Sequence, residues 1–198
     1  VSFIDLAGHE KYLKTTVYGV TGLFPDYGIV VIGANTGITK LTREHIGILF
    51  YLKIPFIICI TKIDLAPTHV YQKLCNRLKN LLTKNTYGKI VYFISDSDKK
   101  DTETSHYIDN MLGNPDIIPV ISISNKDGKN INNLHLILSQ IPNRDKWNKN
   151  EVNGSIVYLD STFQVPGIGL VLSGMVKGNE IKVKDKLYLG PAGGMVHQ

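Results

Sequence analysis

The chain has 198 residues, 43% of them hydrophobic and 20% charged, which is the balance of an ordinary folded chain and not of a disordered or fibrous one. Its longest apolar runs, such as residues 54–60 and 117–121, fall far short of the roughly 20 residues a membrane span needs, and no secretory signal is visible. The two cysteines, Cys59 and Cys75, form neither a disulfide framework nor a zinc pattern and fit a reducing, cytoplasmic setting. The net charge of +5 is uneven: residues 1–150 hold 18 Lys/Arg and 13 Asp/Glu, and residues 151–198 hold four of each. That excess mildly favours a phosphate-rich partner such as RNA, although without a dense basic cluster a solvated Lys-rich surface is the simpler account.

In chain order, residues 1–5 read as a short apolar strand and residues 9–23 as a mixed helix-or-loop stretch. Residues 27–34 form a continuous apolar, β-branched run, the signature of a strand buried on both faces of a parallel sheet. Residues 42–52 carry helical spacing, and residues 55–60 are again a continuous buried strand. Residues 68–82 place Val70, Leu74, Leu78 and Leu81 at spacings of three to four, an amphipathic helix with Lys73, Arg77 and Lys79 on its wet side. Residues 90–94 read as a strand, 95–114 as a polar inserted loop, 117–123 as a buried strand, and 131–141 as a helix stopped by Pro142.

Strands alternating with helices predict an α/β fold with a doubly wound, mostly parallel sheet. Residues 143–150, polar and basic around Trp147, read as a linker. Beyond it, residues 155–159, 170–172, 180–183 and 186–189 are short strand-like pieces with a turn signal at Val165-Pro166-Gly167-Ile168-Gly169, which predicts the start of an antiparallel barrel. The expected domains are thus 1–142, a linker at 143–150, and 151–198.

Three motifs sit at the carboxyl ends of predicted strands, where open α/β sheets bind ligands. The first is Asp5-Leu6-Ala7-Gly8-His9. A carboxylate at a strand tip can hold a water of Mg²⁺, which keeps most of its waters. A glycine lets the backbone N–H approach a terminal phosphate, and His9 is placed to orient an attacking water. The second is Thr61-Lys62-Ile63-Asp64: a carboxylate accepts two hydrogen bonds from the edge of guanine, a pair adenine does not offer, and one such pair is worth about 1–3 kcal/mol. The stem of Lys62 can lie along the base. The third is Ser124-Asn125-Lys126, whose backbone N–H can meet the guanine O6, with Gly128-x-Asn130-Ile131 starting the next helix. Each motif alone is commonplace. Their order and their placement give them weight.

Together the three resemble the second-switch and guanine-recognition motifs of the translational GTPases, the class that includes elongation factor Tu. Thr42-Arg43-Glu44-His45 and the stretch Val165–Gly174 are also similar to that family. The wording of residues 4–12, with Thr61-Lys62-Ile63-Asp64 and the long insert, most resembles its GTP-binding protein 1/2 branch. The resemblance implies a phosphate-loop-NTPase-type fold that binds GTP or GDP with Mg²⁺. It implies that the GTPase hydrolyses GTP and acts with the ribosome and tRNA or another RNA, with neither DNA nor a membrane as partner. By resemblance His9 is the catalytic histidine, Asp5 the Mg²⁺-linked acid, Leu6, Ala7 and Gly8 the segment facing the γ-phosphate, and Thr61, Lys62, Ile63, Asp64, Ser124, Asn125 and Lys126 the guanine side.

Two positions depart from the common pattern. Ala7 stands where most elongation factors have Pro, and Thr61 where Asn is usual. No stretch fits G-x-x-x-x-G-K-[ST], the phosphate-holding loop, so the expectation is a GTPase whose first strand, phosphate loop and first switch lie upstream, with weak nucleotide binding by this piece alone. The rival expectation is a degenerate, non-hydrolysing module that docks on RNA or the ribosome. A dinucleotide-dependent dehydrogenase lacks its G-x-G-x-x-G. His45, His69, His106, His135 and His197 show no ligand spacing.

Overall fold

The computed structural model describes residues 2–83, 87–94, 114, 116–141, 154–192 and 195–197. The predicted insert at 95–114, but for Asn114, and the predicted linker with Trp147 lie outside them. The chain divides into two compact units, Val1–Arg144 and Asp145–Gln198.

The first unit is built on a four-stranded, all-parallel sheet. Its strands are β1 (Gly28–Gly33), β2 (Phe56–Thr61), β3 (Ile90–Phe93) and β4 (Ile117–Ser122), in the spatial order β1-β2-β4-β3. Among the described residues four helices connect or flank them: α1 (Leu13–Gly22), α2 (Lys40–Tyr51), α3 (Thr68–Thr83) and α4 (Ile131–Gln140). The α/β expectation holds, and strand β2 shows why. Phe56, Ile58 and Ile60 enter one core with Leu74, Leu78 and Leu82 of α3 and Ile46 and Leu49 of α2. Ile57 and Cys59 enter a second core with Ile121, Ile123 and Ile137 of α4. A central strand covered on both faces needs apolar residues at every position, and each such side chain taken from water contributes about 1.5–3 kcal/mol.

Two strand expectations in this unit are corrected. Residues 2–8 are not a strand: they pair with none of the described strands, and Phe3 is 70% exposed. Strand β1 is buried on one face only. Val30 and Ile32 join the core of α2 and α3, whereas Val31 is 62% exposed. The second core, which holds the buried residue of α4, takes residues from β2 and β4 and none from β1.

Helix α2 begins earlier than predicted, because Thr39 caps it. The Thr39 hydroxyl accepts from the Thr42 N–H at 3.1 Å, and the Thr42 hydroxyl accepts from the Thr39 N–H at 3.3 Å, so two N–H groups of the helix entry are satisfied reciprocally. It ends with Lys53 N–H on the Phe50 carbonyl at 3.0 Å and Ile54 N–H on the Leu49 carbonyl at 2.9 Å. This closure requires a left-handed residue, and Lys53 supplies it at φ 55°.

In the second unit β5 (Ser155–Val165) and β6 (Gly169–Gly178) form an antiparallel hairpin. Its turn carries Pro166 and then Gly167 at φ 79°, with Ile168 N–H on the Val165 carbonyl at 3.1 Å, the residue pattern of a type II turn. The register shifts between Leu159 and Ser161, opposite Gly174. A short pair follows, β7 (Leu189–Ala192) with β8 (Met195–His197). The strand pieces expected at 180–183 and 186–188 are not strands. Asp185 Oδ2 accepts from the Lys182 N–H at 2.7 Å and Lys184 is left-handed at φ 79°, a local side-chain turn that displaces a ladder.

Candidate functional site

The carboxyl ends of β2 and β4 lie side by side, with Ile60 opposite Ser122. After β2 the backbone turns left-handed at Lys62 (φ 59°, ψ 36°) and enters a single helical turn, Ile63–Leu65. Thr61 carbonyl accepts from Ala34 N–H at 2.8 Å, which ties the exits of β1 and β2 together. Ile63 packs on the core, so the turn is anchored and Asp64 is left exposed beside the exit of β4.

Ser124 meets it there. The side chain is fully buried, and its hydroxyl donates to Asp64 Oδ1 at 2.8 Å. Ser124 Oγ also accepts from Asp127 N–H at 3.2 Å, and the Ser124 N–H donates to the Lys129 carbonyl at 3.2 Å. The hydroxyl has one hydrogen, and Asp127 occupies an acceptor site, so the hydrogen is committed to Asp64. One carboxylate oxygen is held while the exposed remainder of the group stays available. Asn125 and Lys126 are exposed in the turn that follows. Lys62 is exposed, and the half-buried Thr61 hydroxyl makes no hydrogen bond among the described residues.

The amino-terminal group is held by α1. Thr16 donates its hydroxyl to the Ala7 carbonyl at 2.6 Å, and Leu6 packs partly on the core. Gly19 lies so close to Leu6 that a Cβ there would collide with the Leu6 side chain. These contacts fix residues 6 and 7 and leave Asp5, Gly8 and His9 exposed. His9 Nδ1 accepts from Lys11 N–H at 3.1 Å. In the neutral ring this puts the hydrogen on Nε2. Asp5 has no hydrogen-bond or ion-pair partner among the described residues, and no group of three or more His, Cys, Asp or Glu side chains converges among them. That donor set suits a hydrated Mg²⁺ held by few protein oxygens and not a cation in an all-protein cage. No hydrogen bond among the described residues joins the Asp5–His9 group to Asp64 or Ser124.

Sequence reasoning missed Thr16 and Gly19, whose patterns look like ordinary helix interior, and took Asn130 only as a helix start. Among the described residues no helix is long and apolar enough to cross a membrane.

A parallel sheet in this order, flanked by these helices, is a G-domain-type fold. The Elongation factor Tu GTP binding domain family matches residues 1–143, and the chain belongs to that family. It is 36% identical to GTP-binding protein 1 of Xenopus laevis over 191 residues, which is 96% of this chain and 28% of that one. It is 30% identical to GTP-binding protein 2 of Homo sapiens, covering 96% of this chain and 32% of the relative. The fold matches the crystal structure of translation elongation factor SelB from Methanococcus maripaludis in complex with the GTP analogue GppNHp. The TM-score is 0.62 at 25% identity, over 91% of this chain and 34% of the other. The chain therefore spans about a third or less of the length of these relatives.

Proposed function

We propose that the chain carries the base-reading half and the second-switch segment of a GTPase that acts with RNA, the ribosome and tRNA foremost, in the manner of translation factors. The observation that supports this best is the Ser124–Asp64 hydrogen bond at the ends of two adjacent parallel strands. It aims a carboxylate from a rigid turn at the space where the sheet offers a ligand. In this reading Asp64 accepts from the guanine edge, and Lys62 lies along the base. Thr61, Ile63, Asn125 and Lys126 complete the loops around it. Gly8 brings a backbone N–H to the terminal phosphate with no side chain in the way, with Leu6 and Ala7 holding the segment against α1. His9 orients the attacking water, for which its Nε2 side is free. Mg²⁺, when bound, neutralises phosphate charge, and Asp5 would hold one of its waters. Residues 1–142 are read as part of the G domain, 143–150 as a linker and 151–198 as the beginning of a β-barrel, for which the long β5–β6 hairpin is the support.

The test is the nucleotide preference of the protein with Asp64 replaced by Asn. The amide donates where the carboxylate accepted, so preference for guanine over adenine nucleotides should fall by about tenfold or more, one lost bidentate pair. An unchanged preference would sink the guanine reading. His9→Ala should separately slow hydrolysis while binding persists. Hydrolysis at the unaltered rate would leave a guanine-nucleotide-binding module without this catalytic group.

A further inference from the structure

Helix α4 starts at Asn130, which the sequence marks only as a helix opener. An asparagine in that position ordinarily accepts a hydrogen bond from an N–H of the first turn. Here the side chain makes no such bond, and the backbone is left-handed at φ 60°, ψ 10°. Instead Nδ2 donates to the carbonyl of Ser122 at 2.7 Å. Ser122 is the last residue of β4, and its side chain is buried. One amide thus spans the mouth of the loop 124–129, joining the residue two before Ser124 to the residue that ends the loop.

The clip acts on a loop with little other support. Ser124 N–H to Lys129 O and Asp127 N–H to Ser124 Oγ are its internal bonds, and Ile131 N–H on the Gly128 carbonyl at 3.4 Å ties it to α4. Asn125 to Lys129 are all exposed. From the far side Tyr71 of α3 places its hydroxyl 2.8 Å from Ser122 Oγ, so the strand end that receives the clip is itself braced. The amide orientation follows from its partner, because a carbonyl requires a donor.

We propose that Asn130 is a positioning residue for guanine discrimination: its side chain closes the loop that aims the Ser124 hydroxyl at Asp64. This rests on the guanine reading given above. Asparagine suits the place because it tolerates the left-handed backbone and carries a donor. Aspartate tolerates the same backbone and caps as well, but offers only acceptor oxygens to the Ser122 carbonyl when ionised. Asn130→Asp therefore removes the clip but also sets a carboxylate oxygen against the Ser122 carbonyl, beside an amide oxygen position that is already buried without a partner among the described residues, so Asn130→Gly, which carries neither, is measured with it.

Two measurements test it. The first needs no nucleotide: amide hydrogen exchange in the 198-residue chain. Asn130→Asp should speed exchange of the Ser124 and Asp127 amides by about tenfold while β2 amides keep their protection. Unchanged rates at those two amides overturn the proposal. If the whole sheet exchanges faster, Asn130→Gly, which keeps the left-handed backbone without the side chain, decides the matter. A rise confined to the loop supports the clip, and a second global rise shows that the side chain holds the unit and not the loop.

The second measurement is the ratio of dissociation constants for GDP and inosine diphosphate, which lacks the exocyclic amine, from titration of the same chain at millimolar nucleotide. The ratio should fall at least fivefold in Asn130→Asp. Equal losses for both nucleotides would show that the clip has no part in base selection. If the unaltered chain shows no guanine preference, the guanine reading fails, and the exchange data still decide whether Asn130 braces the loop.

Discussion

The Ser124 hydroxyl and the Asp64 carboxylate meet at 2.8 Å although 60 residues separate them in the chain. The bond joins the exits of two strands and leaves the outer part of the carboxylate facing solvent. Ser124→Ala removes the donor and strands the Asp127 N–H. We expect a stability loss of about 1 kcal/mol by urea denaturation and about a tenfold rise in the Kd for GDP, equivalent to about 1.4 kcal/mol. Calorimetric titration showing equal affinity would mean that the carboxylate needs no such aim.

Lys53 closes α2 in the left-handed region at φ 55° with its side chain exposed. Glycine adopts that conformation without steric cost. Lys53→Gly should therefore stabilise the chain by about 0.5–1 kcal/mol, seen as a higher urea midpoint with an unchanged slope. A lower midpoint would show that the lysine stem contributes packing.

Gly174 faces the irregularity in β5. A Cβ built there would collide with the Tyr158 carbonyl oxygen and stand 3.0 Å from Leu159 Cα. Both are backbone atoms, so no side chain can step aside. Gly174→Ala should cost at least about 1–3 kcal/mol, the usual price of overpacking. The signature is loss of the cross-strand contacts of β5 and β6 in NMR spectra while the parallel sheet of the other unit keeps its own.

His45 lies on α2 with Nε2 buried and without a partner among the described residues. Burial pushes its pKa below the usual 6.5, and the Glu44 carboxylate opposes this only in part. The folded state thus resists a proton that the unfolded chain accepts. Stability is full above about pH 6.5, declines as the pH falls through that value, and levels off below the depressed folded pKa. His45→Leu should flatten this slope as the pH falls through about 6.5 in denaturation series. A slope that survives belongs to other groups.

Burial also lifts the Cys59 thiol to about 11, and Cys75 is raised by burial as well. Since the thiolate is the reactive form, neither thiol should react readily with a disulfide reagent at about pH 8 in the folded chain. Two thiols should be titrated once denaturant is added. Fast labelling of either without denaturant would place it at the surface.

The central strands were legible because a strand covered on both faces has no choice but to be apolar throughout. β1 misled for the same reason. Val31 looks in sequence like Ile58, and nothing local says that the second core takes no residue from β1. Residues 2–5 are apolar enough for a strand but find no ladder. At the site, motif order in the sequence groups Asp64 with Ser124, and the fold joins them by a hydrogen bond. Thr16 and Asn130 were hidden because their partners are carbonyl oxygens, a feature every residue shares, so only the folded backbone distinguishes them. Residues 180–188 failed because the bond from the Lys182 N–H to the Asp185 carboxylate competes with strand pairing in a way that apolar spacing does not register.

Among the described residues strand β1 has a neighbour on one side only, and the other side of its six residues, Gly28–Gly33, is extended backbone. An edge of this kind is a place where a second copy of the chain can pair. For the 198 residues alone, light scattering should rise with protein concentration before any nucleotide is added. A lysine at position 31, a charge on the uncovered face, should suppress that rise while the strand keeps its place beside β2.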